Sequence, residues 1–291
     1  MTEPRAEILH GDNLELLPRF ADGEFQLVYL DPPFNTGRDR RARPVRVTAD
    51  PTGDRVGFGG RRYATRAADG AGYGDRFGDY ASFLAPRLRE LRRVLDPTGT
   101  LYLHLDWRES HRAKLLLDDL FGPECFLNEI IWAYDFGGRS NRRWPAKHDT
   151  ILVYVRDALR YHFDAAAVDR EPYMAPGLVT PEKAARGKLP TDVWWHTIVP
   201  TNGREKTGYP TQKPEGVLRR IVAASSRPGD TVLDPFAGSG TTGAAAAALG
   251  RGYVLIDNSA EAVAVMHRRL PRAAPAPARP RRSPPPPPAP G

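Results

Sequence analysis

The stretch Leu27-Val28-Tyr29-Leu30-Asp31-Pro32-Pro33-Phe34 decides the reading of this chain. Four apolar residues bounded by a carboxylate and two prolines predict a buried strand of a parallel sheet. Neither Pro32 nor Pro33 has an N–H for the ladder, and each disfavours helix in the residue before it, so the strand stops at Asp31. The Asp-Pro-Pro backbone is thereby held open at the carboxyl end of a strand, where open α/β sheets bind their ligands. There it presents one carboxylate, carbonyls that no helix consumes, and the aromatic face of Phe34. Such a set can hydrogen-bond an amino group and stack a flat ring, which suits a nucleobase taken out of its helix. A buried strand ending in a capped proline turn would look the same, so a second element has to decide.

Thr231-Val232-Leu233-Asp234-Pro235-Phe236-Ala237-Gly238-Ser239-Gly240-Thr241-Thr242-Gly243 supplies it, reading as strand, glycine turn and helix. Gly238, Gly240 and Gly243 match G-x-G-x-x-G, and Asp257 follows Gly238 by 19 residues at the next strand end. Taken alone, the pattern would also serve a nicotinamide or flavin cofactor. The glycines let the backbone approach a ligand, and Asp257 can accept both hydroxyls of a ribose. No Lys follows the glycines, which argues against a nucleotide-triphosphate loop. Asp234 at the mouth of the turn would repel a pyrophosphate but suits the ammonium of a methionine moiety, so S-adenosylmethionine is the better ligand.

Together the two elements resemble the DNA amino-methyltransferases of the β arrangement, in which the catalytic motif comes first, the recognition region follows, and the cofactor motif is last. Asp31-Pro32-Pro33-Phe34 is similar to the family's catalytic tetrapeptide, and Asp234 to Thr242 to its cofactor loop. Thr211-Gln212-Lys213-Pro214 is similar to the segment that precedes that loop and closes over the methionine end. The likeness in order and kind extends over about residues 6–270. It implies an α/β, Rossmann-like methyltransferase fold with a mostly parallel sheet, helices on its faces and a circularly permuted motif order. It implies that Asp31, Pro32, Pro33 and Phe34 carry the chemistry. Asp234, Phe236, Gly238, Ser239, Gly240, Thr241 and Thr242 would hold the methionine portion, with Lys213 beside its carboxylate. Asp257 would bind the ribose, and Asp12 the adenine side. His104 and Asp106 either line the pocket or cap a turn.

By the same resemblance the partner is double-stranded DNA; a homodimer and a cognate restriction endonuclease are allowed without being fixed. Asp at the first motif position, with Asn35-Thr36-Gly37 after Phe34, resembles the adenine-N6 enzymes more than the cytosine-N4 ones. A catalytically silent DNA-binding subunit and an RNA methylase are the remaining alternatives, and the intact Asp31 disfavours both. Cytosine-C5 chemistry needs a nucleophilic thiolate, whereas Cys125, the only cysteine, opens an apolar strand where burial is expected. A single cysteine also excludes an internal disulfide and a cysteine-rich zinc site, and no metal is expected.

The net charge of +7 is unevenly spread. Residues 38–66 hold nine Arg against three Asp, and residues 271–291 add four Arg and no acid. Basic segments on a near-neutral body suggest a polyanionic partner. No apolar run approaches the roughly 18 residues of a membrane span, and residues 1–7 carry no apolar signal core. A cytoplasmic, nucleoid-associated protein is therefore expected.

Along the chain, residues 1–134 are expected to form the catalytic half of the methyltransferase domain, with strands at 6–10, 100–106 and 126–134 and helices near 14–20, 84–95 and 113–121. The strand–helix–strand run at 6–30 predicts a right-handed unit within one sheet. Glycines through residues 38–78 break any regular element, giving a mobile basic loop in which Arg40, Arg41 and Arg43 would meet DNA. Residues 135–210 are irregular, aromatic and basic, and form the expected recognition region, with Arg139, Arg142, Arg143, Lys147 and Arg204 as DNA contacts. Residues 211–270 return to α/β order as the cofactor half. Residues 271–291, with Pro284 to Pro288 in succession, are expected to be a disordered tail.

Overall fold

The computed structural model describes residues 4–37, 40–41, 45–52, 55–56, 62–67, 72–200, 203–270 and 274–275. Its strands are β1 (Ala6–His10), β2 (Phe25–Leu30), β3 (Arg40–Arg41), β4 (Val45–Ala49), β5 (Arg55–Val56), β6 (Arg62–Ala67), β7 (Gly72–Tyr73), β8 (Leu95–Leu105), β9 (Phe126–Ala133), β10 (His148–Val155), β11 (Val193–Trp195), β12 (Thr231–Asp234), β13 (Gly252–Asp257) and β14 (Ala274–Pro275). Its α-helices are α1 (Asn13–Leu16), α2 (Tyr80–Val94), α3 (Ser110–Phe121), α4 (Pro181–Arg186), α5 (Glu215–Ser225), α6 (Thr241–Ala248) and α7 (Ala260–Arg269).

One nine-stranded sheet has the order β11-β9-β10-β8-β2-β12-β13-β1-β14. Every neighbouring pair is parallel except the two made by β10, which runs against both β8 and β9. The side chains of β2 alternate between two cores. Val28 and Leu30 pack with Leu84, Leu88 and Leu91 of α2 and with Leu117 of α3. Leu27 and Tyr29 face the other way, toward Leu218 and Ile221 of α5 and Ala245 and Ala246 of α6. Phe25 joins the face of Val28 and Leu30 across an irregularity in the ladder, where β8 runs from Leu95 to Thr100 while β2 runs from Phe25 to Leu27. Helices therefore cover both faces, and a strand buried on both sides reads as an unbroken apolar run.

The connections set the site. From β2 the chain passes through α2 to the neighbouring β8; from β12 it passes through α6 to β13 on the opposite side. The strands diverge between β2 and β12, so their carboxyl ends frame a crevice at the topological switch point. Asp31 follows one of these strands and Asp234 ends the other.

Several sequence expectations change here. Strands β3 to β7 stand in the segment read as devoid of regular structure, pairing β3 with β7 and β6 with β4 and β5. Backbone pairing there runs through Val45, Val47, Arg62 and Tyr63, with the glycines falling mostly between the strands. β1 and β2 do share one sheet, as expected, with β12 and β13 standing between them. Asp96-Pro97-Thr98-Gly99 lies within β8, which begins directly after α2. Asp79 caps α2, which starts before the expected helix near 84–95 and runs on through Pro86. Trp194 and Trp195 belong to a short edge strand, and Ala274–Pro275 pairs with β1 rather than leaving the sheet. The rest of the expected tail lies outside the described residues. Cys125 is buried, as expected for an inert thiol. No helix among the described residues is long and apolar enough to cross a membrane.

If this sheet carries the stability, Leu103→Ala, at a fully buried position of β8, should cost about 2–5 kcal/mol. Urea denaturation measures it, and a loss under about 1 kcal/mol would mean that the strand is not core.

Candidate active site

A cleft of about 1170 Å³ opens over the carboxyl edge of the sheet. Its lining includes Gly238, Asp257 and Glu261, then Asp234, Asp31 and Phe34, and also Trp107, Arg139 and Arg143. The two sequence elements that lie some 200 residues apart thus share one hollow.

Asp31 and Phe34 stand where the prolines release β2 from its ladder. One Asp31 oxygen, Oδ2, accepts the Lys213 ammonium, and the buried Oδ1 has no hydrogen-bond partner among the described residues. The Lys213 Nζ also lies over the Phe34 ring, 5.0 Å from its centroid. Asn35, next in the chain, takes a left-handed conformation with φ 55°. Its amide bridges the segment, donating to Glu109 Oε1 (2.8 Å) and accepting from the Phe77 amide (2.9 Å). Thr211, two residues before Lys213, has φ 56°. Backbone strain at both flanks of the Asp31–Lys213 contact is the pattern expected where function fixes geometry.

Behind Phe34 lies a buried polar chain of which the sequence suggests only one member. The His104 ring is fully buried, 5.9 Å from the Phe34 ring and tilted 31° to it. Its Nε2 faces Asp149 Oδ2 at 3.1 Å, its Nδ1 faces the Tyr29 hydroxyl at 2.8 Å, and Tyr134 donates to Asp149 Oδ1 at 3.0 Å. A carboxylate only accepts, so Nε2 carries a proton toward Asp149. Burial would raise the Asp149 carboxyl, but the hydrogen bond and charge of His104 prevail and hold it below the usual range. His104 thus supports the Phe34 wall without lining the cleft. Asp106 does both things expected of it: it lines the cleft and caps a turn, accepting from the Arg108 amide at 2.9 Å. Burial raises its carboxyl despite that partner.

At the cofactor end, Asp234 is 2% exposed and accepts from the Phe236 amide (3.0 Å) and the Thr242 hydroxyl (2.5 Å). Burial lifts its pKa to about 7, with the nearby Asp31 and Asp257 adding to the rise. A carboxylate so deprived of water is short of a cation, and the ammonium of a methionine group supplies one. Asp257 receives the amides of Gly238 (2.8 Å) and Ser259 (2.9 Å), which ties the glycine turn to the end of β13. Gly240 has φ 73°, and a Cβ there would lie 2.9 Å from Met266 Cγ; at Gly243 it would lie 2.6 Å from Leu255 Cδ1. These two glycines therefore serve the packing of α6 on β13 and α7 more than the approach of a ligand. Gly238, Ser239, Thr241, Thr242 and Phe236 all line the cleft. Ser239 and Thr241 are tied together by their hydroxyls and by Arg269. Asp12 lines the wall too, but its carboxylate caps α1 and pairs with Arg87 at 3.1 Å through both oxygens.

The expected DNA contacts divide. Arg139 and Arg143 line the cleft, and Arg143 stacks 5.5 Å from the centre of the Trp107 ring. Arg142 is exposed beside them, whereas Lys147 turns toward Asp135 at 3.6 Å. Arg204 lies elsewhere, in a small groove with Glu205, Glu215 and Arg268. Arg40 and Arg41 form β3, with nothing described of their side chains, and Arg43 lies outside the described residues. Asp149, Tyr134, Trp107, Lys206 and Tyr209 line the cleft although no motif marks them. Asp149 had a usable signal, an acid at the start of the apolar run Thr150–Val155; Trp107 had one in its place directly after the strand-end Asp106.

Comparison with solved structures shows the fold to be that of known methyltransferases. The chain shares its fold with the M1.HpyAVI methyltransferase in complex with S-adenosylmethionine (TM-score 0.58, 20% identity, 91% of this chain and 98% of that one). It shares it equally with the cytosine-N4-specific PvuII DNA methyltransferase (TM-score 0.62, 16% identity, 92% and 87%). Within that class, the sequence signature of a DNA methylase family matches residues 25–268, and the chain belongs to that family, the adenine-N6 and cytosine-N4 DNA methylases. Similar relatives include the DNA adenine methyltransferase YhdJ of Escherichia coli K12, 32% identical over 271 residues (90% of this chain, 82% of YhdJ). Another is the type II methyltransferase M.HpaI of Haemophilus parainfluenzae, 29% identical over 266 residues (90% and 73%). The chain is a DNA methyltransferase that uses S-adenosylmethionine.

If Asp234 holds the cofactor ammonium, S-adenosylhomocysteine should bind best above the Asp234 pKa of about 7 and more weakly below it. The loss should approach about tenfold per pH unit toward pH ~5.5. Calorimetric titration measures it; Asp234→Asn should flatten the dependence, and a flat profile in the native protein would remove the assigned role.

Proposed function

We propose that this enzyme methylates the N6 amine of adenine in double-stranded DNA, after the base has been turned out of the duplex into the cleft. The observation that carries this reading is the Asp31 carboxylate, beside the Phe34 ring, in the same crevice as the Asp234 and Gly238 loop. The adenine preference rests on Asp31 with Phe34-Asn35 and on the similarity to a relative named as a DNA adenine methyltransferase. A cytosine-N4 target presents the same amine and a flat ring, and the likeness to the PvuII enzyme is one of fold.

The adenine amine is a poor nucleophile because its lone pair is delocalised into the ring. In this reading Asp31 and the Pro32 carbonyl accept its two hydrogens, drawing the nitrogen toward tetrahedral geometry and freeing the lone pair. The bound cofactor supplies an electrophilic sulfonium methyl. Transfer is an in-line displacement: the N–C bond forms as the S–C bond breaks, and a proton leaves the nitrogen by way of the Asp31 carboxylate. No covalent enzyme intermediate is needed, so the rate comes from positioning and from preorganised acceptors. Phe34 offers the stacking face, a contact worth about 1–3 kcal/mol, with the buried His104–Asp149 pair holding it from behind. Arg139 and Arg143 would meet backbone phosphates at the cleft.

Mass spectrometry of nucleosides from DNA treated with enzyme and cofactor should show N6-methyladenine. Asp31→Ala should lower its formation by at least about 10³-fold while S-adenosylhomocysteine still binds. N4-methylcytosine without N6-methyladenine would overturn the choice of base, and retained transfer by Asp31→Ala would overturn the role. Arg139→Glu with Arg143→Glu should also weaken DNA binding and reduce the slope of log affinity against log salt by about one for each phosphate no longer neutralised. An unchanged slope would detach that wall from DNA.

A further inference from the structure

The Asp31–Lys213 contact stands where this chemistry would take place, with only the buried Oδ1 of Asp31 left unengaged among the described residues. Lys213 Nζ holds Asp31 Oδ2, one of the oxygens meant for the target amine, and sits over the Phe34 face meant for the target ring. Both partners are largely shielded, with side chains 11% and 18% exposed, so the ammonium cannot simply be given up to water. The base and the Lys213 ammonium cannot share that place.

The surroundings limit where the ammonium can go. The Lys213 backbone is fixed, because its carbonyl accepts from the Thr241 hydroxyl at 3.1 Å, so only the side chain can swing. Asp149 feels the Lys213 charge, but its two oxygens already serve His104 and Tyr134. Asp234 is engaged by the Phe236 amide and the Thr242 hydroxyl, and is the group suited to the cofactor ammonium. Thr241 opens α6, whose N-terminal amides favour an anion. S-adenosylmethionine brings one anionic group, its carboxylate. The start of α6 adjoins the tether of Lys213, so a carboxylate held by the α6 amides would stand within reach of its side chain.

We propose that Lys213 is an exchangeable counter-ion: it covers Asp31 and the Phe34 face until the cofactor carboxylate draws it away, so that cofactor loading opens the base pocket. The proposal rests on the methyltransferase reading and adds an order to it, with cofactor before base. Lys213 is thus a positioning residue for Asp31 and keeps an unloaded enzyme from gripping a base that it cannot methylate.

Binding to the full-length protein without DNA tests this, comparing S-adenosylhomocysteine with 5′-methylthioadenosine, which lacks the amino-acid end. In the native protein, the first ligand has to break the Asp31–Lys213 pair and the second does not. Asp31→Asn should therefore tighten S-adenosylhomocysteine by about fivefold or more and leave 5′-methylthioadenosine unchanged. In a Lys213→Met background, Asp31→Asn should no longer matter; if that variant fails to fold, the contrast between ligands in Asp31→Asn alone still decides. Equal effects on both ligands, no tightening, or a tightening that persists without Lys213 would overturn the exchange. Binding of neither ligand by the native protein would instead overturn the methyltransferase reading on which it rests.

Discussion

Two successive imino acids at the end of a central strand are the constraint on which this molecule depends. Pro32 and Pro33 cannot extend the ladder of β2, so the chain must leave the sheet at Asp31 with its carbonyls unspent. The next strand over, β12, ends in Asp234 and turns into α6. The sheet diverges between these two strands, and the crevice between them lets both acids face one cleft. The proposed acceptor of the target amine and the proposed anchor of the cofactor are thus both placed by the backbone topology.

That placement creates a low-water site crowded with carboxylates. Burial lifts Asp234 to about 7 and raises Asp106 and Asp257, while Asp149 is held down by His104. A row of buried acids disfavours the empty state unless cations answer it. Lys213 answers Asp31 from inside the protein, and the ammonium and sulfonium of the cofactor suit the rest. Ligand choice in this cleft is therefore an electrostatic matter as much as one of shape, which is why a pyrophosphate-bearing dinucleotide is a poor fit to a loop with dinucleotide-like glycine spacing.

The sequence was legible where a residue's effect is local. Two successive prolines leave a central strand no N–H with which to continue, so β2 and its Asp31 could be read directly. The strands expected at 6–10 and 126–134 came within a residue of β1 and β9. Features that depend on distant partners were hidden. The separation of β1 from β2 follows from two strands that arrive more than 200 residues later. The roles of Gly240 and Gly243 hinge on Met266 and Leu255, which periodicity cannot pair with them. The His104–Asp149 chain joins two strands through side chains that carry no motif, and the Asp31–Lys213 contact spans 182 residues. Arg204 looked like its neighbours in composition but was carried to a different groove by the turn around it.

A crystal structure of the full chain with S-adenosylhomocysteine tests the central claim most directly. The expected result has the homocysteine ammonium on Asp234 and the thioether sulfur in the crevice between β2 and β12, with space for one amine between sulfur and Asp31. A ligand bound away from that crevice, or one whose sulfur is walled off from Asp31, would contradict it.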